Sequence, residues 1–186
     1  MSRKINYAEV DCTDLDLLID GISQGNTEAL AQLYHVAGTS VFSYALSVLK
    51  NTHDAEDVLH DCFVRIYQSA SGYRPNGKPM AWILTIAKNL CMDRLREQNK
   101  QKSIQDQDWK QYIDTNPAVT TDDRLILAAC MEQLTDDERQ IVVLHAVSGF
   151  LHREITQLMG LTLSTVLSKY HRSIKKLKKH LRKENS

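Results

Sequence analysis

Residues 134–181 read LTDDERQIVVLHAVSGFLHREITQLMGLTLSTVLSKYHRSIKKLKKHL. Thr135 stands three residues before Glu138, the spacing at which a hydroxyl and a carboxylate close a capping box at a helix start. Ile141, Leu144 and Val147 then fall on one face, and Gly149 breaks the run. A second helix fits Leu151 to Met159, and Gly160 is placed to stop it in the left-handed conformation. Thr162 can cap a third helix, whose apolar stripe is Leu163, Val166, Tyr170, Ile174, Leu177 and Leu181. Two helices joined by a short glycine turn form the helix-turn-helix pattern, in which the first braces the second and the second offers its N-terminal residues to the DNA major groove.

Ser164, Thr165, Ser168, Lys169 and Arg172 lie off that stripe, and they are types that donate to phosphates and base edges. Between Lys169 and Lys183 the chain carries eight basic residues, including Lys175 and Lys176, and no acid. Such a run neutralises phosphates and releases their counterions. Formal net charge is +0, so the cationic end is balanced elsewhere. The first twenty residues and residues 54–61 are acidic, which implies a second surface for a different partner.

Upstream, Leu15 to Leu18 starts a short helix that stops near Gly21–Gly25. Asn26 or Thr27 can cap the next, in which Gly38 is a candidate kink. Residues 54–70 give the clearest helix: Ala55, Val58, Leu59, Cys62, Phe63, Ile66, Tyr67 and Ala70 form one stripe, and acids occupy the first turn, where the helix dipole favours them. Gly72, Pro75 and Gly77 mark residues 71–78 as a loop, and Pro79 suits the first turn of another helix reaching about Glu97. Trp82 is read as core. Residues 98–121 are polar and aperiodic, a linker, and a short apolar helix is expected over 125–134.

The 186 residues contain only seven Gly and three Pro. Together with helical spacing throughout, this predicts an all-α protein of two small helical domains, at 14–100 and 122–183, joined by a linker at 101–121. No apolar run approaches a membrane span, and the polar, acidic N-terminus is unlike a signal peptide, so a cytoplasmic protein is expected. Cys12, Cys62, Cys91 and Cys130 are widely spaced and read as free thiols in a reducing compartment. No motif calls for a metal or cofactor. The acids Asp54, Glu56, Asp57 and Asp61 read as a docking face for a basic partner rather than a catalytic cluster.

Residues 134–181 resemble the promoter-binding region four of extracytoplasmic-function (ECF) sigma factors. The resemblance is carried by Leu134, Glu138, Arg139, Glu154, Ile155, Leu158, Gly160, Thr165, Val166, His171, Arg172 and Leu177. Leu151 departs from the family's frequent capping Ser or Thr, and Leu167 from a common Lys. Independently, DAEDVLHDCFVRIYQ (residues 54–68) and AWILTIAKNLCMDRLR (residues 81–96) resemble two helices of the family's region two.

The resemblance implies a factor that directs core RNA polymerase to promoters and assists melting without catalysing a reaction. Ser164, Thr165, Ser168, Lys169, Arg172, Lys175 and Lys176 would meet the −35 element, and the same domain would meet the polymerase β flap. Tyr73, Arg74, Lys88, Asn89 and Arg96 would meet the −10 element, with the 71–78 loop and Asn89 receiving an unpaired base. Asp54, Asp57, Val58, His60, Asp61 and Phe63 would dock on the β′ coiled coil. An anti-sigma partner is also implied. Two other readings stay open on the residues alone: a helix-turn-helix regulator that binds DNA without polymerase, and a helical nuclease or hydrolase, for which no clustered catalytic residues are found.

Overall fold

The computed structural model describes residues 12–101 and 133–184. Upstream are α1 (Cys12–Ser23), α2 (Thr27–Leu49), α3 (Thr52–Ser69), a single 3-10 turn (Ala70–Gly72) and α4 (Pro79–Gln101). Downstream are α5 (Asp136–Ala146), α6 (His152–Met159) and α7 (Leu163–Glu184). No strand occurs among the described residues. Most of the expected linker, the expected 125–134 helix up to Glu132, and Cys130 lie outside them.

The helix starts follow from side-chain chemistry. Asn26 accepts from the Glu28 and Ala29 N–H groups at 3.0 and 3.2 Å, and Asn51 accepts from Asp54 N–H at 2.9 Å. These satisfy N–H groups that have no partner inside the helix. Glu138 accepts from Thr135 N–H at 3.1 Å at the head of α5. At α6, Glu154 likewise accepts from Leu151 N–H at 2.9 Å, but leucine has no oxygen to complete a reciprocal cap. Gly160 ends α6 at φ 69°, where a side chain would be strained.

α2 is the central element. Every residue from Ala37 to Ser47 is buried, and α1, α3 and α4 pack around it. A helix apolar or small on all sides belongs inside. It runs unbroken through Gly38, so the glycine does not divide it. α4 continues past Glu97 to Gln101 because Gln98, which sequence alone assigns to the linker, donates to Asp54 of α3 at 2.6 Å.

The downstream helices do not stand apart. α5 packs on α2, and α6 touches α4. Ile141, Val143, Leu144, Phe150, Ile155 and Leu158 join one continuous cluster of buried side chains with Val41, Phe42, Leu46 and Ile83. Each unit alone has few residues with which to build a core, so this shared burial adds to both. Cys62 and Cys91 are free and buried, and burial pushes both thiols up to about 12, so they stay protonated at neutral pH.

A Cβ placed on Gly38 would sit 3.8 Å from Tyr34 Cε1 and 4.0 Å from Leu59 Cδ1, ordinary contact distances. Gly38→Ala should therefore raise unfolding stability by about 0.5–1 kcal/mol through reduced chain entropy and helix propensity. Urea titration followed by circular dichroism reads this; a loss of stability would mean the position needs its glycine.

Candidate nucleic-acid and polymerase interface

The 22-residue helix α7 is anchored through Val166, Ser173 and Leu177, all buried. Ser164, Ser168, His171, Arg172, Lys175, Lys178 and Lys179 are exposed and fall on the opposite side. At its head the Thr162 hydroxyl lies 3.0 Å from Ser164 Oγ and 2.8 Å from Thr165 Oγ1, and it accepts from Thr165 N–H at 3.3 Å. A helix N-terminus ringed by hydroxyls, followed by an outward run of cations, suits phosphate and base-edge contacts.

The seven α7 residues singled out from sequence divide into three groups. Ser164, Ser168, Arg172 and Lys175 share the outward stripe. Lys169 and Lys176 lean back on α5 instead. Lys169 Nζ lies 3.0 Å from Asp137, and Lys176 Nζ lies 2.6 Å from the buried Glu138. Thr165 is half-buried and tied to Thr162. Residues 169 and 176 are seven apart and lie on the flank facing α5, which a basic-residue count does not register. Thr162, His171, Lys178 and Lys179 belong to the same outward surface, and the helical spacing of the last three from Ser164, Ser168 and Lys175 marks them in the sequence as well.

Upstream, Asn89 and Arg96 share the exposed side of α4 with Thr85, Met92 and Asp93, and Arg96 pairs with Asp93 at 2.9 Å. Lys88 sits on the flank towards α6. Its ammonium donates to Leu158 O at 2.5 Å. Tyr73 packs against Trp82 with ring centroids 4.7 Å apart and the planes tilted by 49°, and its hydroxyl donates to Asp16 of α1. Trp82 is half-buried against the core, and Arg74 is exposed on the loop.

On α3, Val58 and Phe63 are 1% and 5% exposed. Both belong to its inner stripe and hold the helix in place, and Phe63 also lines the groove between α2 and α3. Asp57 pairs with Arg94 at 2.8 Å, and Asp54 accepts from Gln98. His60 and Asp61 are exposed. Beside them Val64 and Tyr67, 56% and 47% exposed, border an apolar groove of about 650 Å³ with Leu30 and Tyr34 of α2. Sequence periodicity placed Tyr67 on the buried stripe; the structure leaves it at the groove edge. Among the described residues no three His, Cys, Asp or Glu side chains converge as a metal site.

The residues 33–101 match the family model described as Sigma-70 region 2, and residues 124–177 match Sigma-70, region 4. Together these take in well over half of the chain, in the order in which the two helical units occur. The chain belongs to the sigma-70 family. As a sigma factor it serves promoter-specific transcription initiation with RNA polymerase. It is 26% identical over 173 residues to the ECF RNA polymerase sigma factor SigK of Mycobacterium sp. (strain KMS), covering 89% of this chain and 90% of that one. Identity to SigK of Mycobacterium tuberculosis (strain ATCC 25177 / H37Ra) is 24%, covering 89% and 92%.

Two solved structures share the fold. The sigma factor RpoE in complex with the anti-sigma factor NepR, from Bartonella quintana, has a TM-score of 0.62 at 18% identity, covering 82% of this chain and 96% of that one. CnrH in complex with the cytosolic domain of CnrY has a TM-score of 0.60 at 22% identity, covering 91% and 97%. No described helix of this sigma factor is long and apolar enough to cross a membrane.

A ring cluster fixes the helix-turn-helix from within. His145 of α5 stacks on His152 of α6 at 4.5 Å, and Tyr170 of α7 meets both edge-on at 4.8 and 4.7 Å. His145 Nδ1 lies 2.8 Å from Phe150 O, whereas the buried His152 Nε2 has no hydrogen-bond partner. Burial first, then the neighbouring His145 and His171, hold the His152 pKa below the usual imidazole value. Above the unfolded value near 6.5 neither state carries the proton. As pH falls below it, the unfolded chain binds a proton that the folded chain resists, so stability declines until the folded pKa is passed. Urea midpoints of the sigma factor should therefore drop between about pH 6.5 and the lowered folded pKa, and His152→Gln should flatten that slope. An identical slope in the variant would assign the dependence to other groups.

Proposed function

We propose that this sigma factor works by binding alone, in the cytoplasm, with the two units dividing the promoter between them. α7 would lie in the major groove of the duplex −35 element, reading it with Ser164, Ser168 and Arg172 while Lys175 and the cations beyond it hold the backbone. Thr165, Lys169 and Lys176 would then act as supports that set the angle of α7, with Lys169 within reach of a phosphate at the groove edge. The observation that carries this reading is the outward stripe of α7: it is polar and basic, touches no core, and begins at a helix N-terminus.

The upstream unit would take the opened strand. Asn89 and Arg96 present donors on one side of α4, and the 71–78 loop supplies Tyr73, whose ring packs against Trp82, and the exposed Arg74 next to it. Extruding a base costs a few kcal/mol, which stacking and hydrogen bonding must offset. Melting would follow from that capture, without hydrolysis of a nucleotide. Lys88 would add a phosphate contact once released from Leu158.

Polymerase would dock on the outer side of α3, through Asp61 and His60 with Asp57 behind them. Val58 and Phe63 would contribute by fixing that helix, and Asp54 by tying it to α4. The flap of the β subunit would meet the downstream unit. The fold neighbour RpoE was solved with the anti-sigma factor NepR, and a comparable inhibitor is proposed here.

Run-off transcription by core polymerase supplied with the protein tests the whole reading; sequence-specific duplex binding without any programmed initiation would leave an ordinary helix-turn-helix regulator. At finer grain, Arg172→Ala should weaken duplex −35 binding by about 1–3 kcal/mol. Lys169→Ala should cost less, because its ammonium is already held by Asp137. Fluorescence anisotropy on a promoter duplex ranks the two, and the reverse order would remove the outward stripe from the argument. Asp61→Lys should impair association with core polymerase while leaving duplex binding intact. Equal losses in both assays would mean that α3 acts only through the fold.

A further inference from the structure

The loop between the 3-10 turn and α4 is pinned at both ends. At the near end Tyr73 N–H donates to Ala70 O at 3.0 Å and closes the turn. The Tyr73 ring packs against Trp82 of α4, and its hydroxyl donates to Asp16 of α1 at 2.5 Å, across 57 residues of sequence. At the far end Asn76 accepts from Lys78 N–H at 3.1 Å, and Lys78 O accepts from Ala81 N–H at 3.1 Å at the head of α4. Residues 74–78 are exposed between these ties.

Ring packing alone does not account for Asp16. A phenylalanine would cover Trp82 as well as tyrosine does, so the hydroxyl and the carboxylate serve each other. α1 holds the acceptor still, because Leu15 and Ile19, on either side of Asp16, are buried in the core. A hydrogen bond to an ionised acceptor is stronger than a neutral one, and a ring tied at both its face and its hydroxyl has lost its freedom before any ligand arrives. On the other hand, a carboxylate beside the path of a polyanion weakens its binding. The acid has a reason to stand there if what it holds matters more than the repulsion it brings.

We propose that Asp16 is a positioning residue for the opened strand: by accepting from the Tyr73 hydroxyl it fixes the start of the loop against Trp82, in the pose that receives an unpaired base. This rests on the reading of the 71–78 loop and Asn89 as the single-strand contact. The hold of Asp16 on the loop rests on geometry alone.

The test uses the full chain. The variants are Asp16→Ala, which removes the acceptor; Asp16→Asn, which removes the charge but keeps an acceptor oxygen; Tyr73→Phe, which removes the donor but keeps the ring; and the Asp16→Ala/Tyr73→Phe double. Asn89→Ala reports on the loop reading itself. Circular dichroism melts establish that each is folded, and Tyr73→Phe breaks the same bond from the other side should Asp16→Ala fail to fold. Loop placement is read by acrylamide quenching of Trp82, in a Trp109→Phe background that leaves it the only tryptophan of the chain. Strand capture is read with each variant bound to core polymerase. The probe is a fork of the promoter at which the parent initiates, duplex through −35 and single-stranded on one strand from −10.

Quenching of Trp82 should rise in Asp16→Ala and Tyr73→Phe and stay at the parent rate in Asp16→Asn. Fork affinity should fall roughly threefold to tenfold in the first two, with no further loss in the double variant and none in Asp16→Asn. Binding of a −35 duplex lacking the single strand should not change. The loss in Asp16→Ala runs against the change in charge, which by itself strengthens binding of a polyanion. Equal losses in Asp16→Asn and Asp16→Ala, or additive losses in the double variant, overturn the proposal. So does unchanged fork affinity in Asp16→Ala while Asn89→Ala loses it, an outcome that leaves the loop reading standing. Parent affinity in Asn89→Ala and Tyr73→Phe alike removes the loop reading, and the role of Asp16 with it, even where Trp82 quenching has risen.

Discussion

The turn Thr135–Arg139 holds the downstream half of the molecule together. Its four charged side chains reach two other helices: Asp136 pairs with Lys50 at the end of α2 and Arg139 meets the α2 backbone, while Asp137 pairs with Lys169 and Glu138 with Lys176 of α7. Burying a guanidinium is expensive unless its donors are met, and here carbonyls at 47 and 134 and the Asp136 carboxylate meet it. Partial burial works against ionisation of Asp136, but Lys50 and Arg139 outweigh it and lower its pKa. Glu138 is affected in the same way: burial opposes its charge, and Lys176 and the Thr135 N–H prevail. One helix start therefore sets both the pose of α7 and the approach of the two units.

Much of this architecture was legible in local sequence because local rules produced it. The caps at Asn26, Asn51 and Thr135, the stop at Gly160 and the inner stripes of α3 and α7 each depend on residues within a few positions of one another. The linkages that reassign side chains are not local. Asp57 meets Arg94, Asp54 meets Gln98, Lys88 meets Leu158 and Lys176 meets Glu138, at separations of 37 to 70 residues. No pattern of spacing within a helix announces such pairs, so charged residues that sequence assigned to DNA or polymerase turn out to be engaged inside the molecule. Val58 and Phe63 are a different case: their place on the inner stripe was readable from period alone, and Phe63 lines the groove between α2 and α3 as well.

The sigma-70 assignment and the geometry meet at α4 and α7. Each has an inner side fixed by packing and an outer side left to solvent: Cys91, Ile83 and Ala87 against Asn89 and Arg96 on α4, Val166 and Leu177 against Ser168 and Arg172 on α7. The ring cluster of His145, His152 and Tyr170 keeps α7 at a set distance from α5 and α6 without drawing on the outer residues. A recognition surface held this way is preorganised, which lowers the ordering entropy lost on binding.

Separating inner from outer residues also affects how such a protein can diverge. Substitutions along the outer side of α7 disturb little packing, and surface changes of that kind typically alter stability by less than about 0.5 kcal/mol. Every position from Ala37 to Ser47 in α2 is enclosed, so nearly any change there is felt by three neighbouring helices. On the proposed reading of α7, promoter preference is free to drift across generations at small energetic penalty, while the mast around which the molecule is rigged stays put.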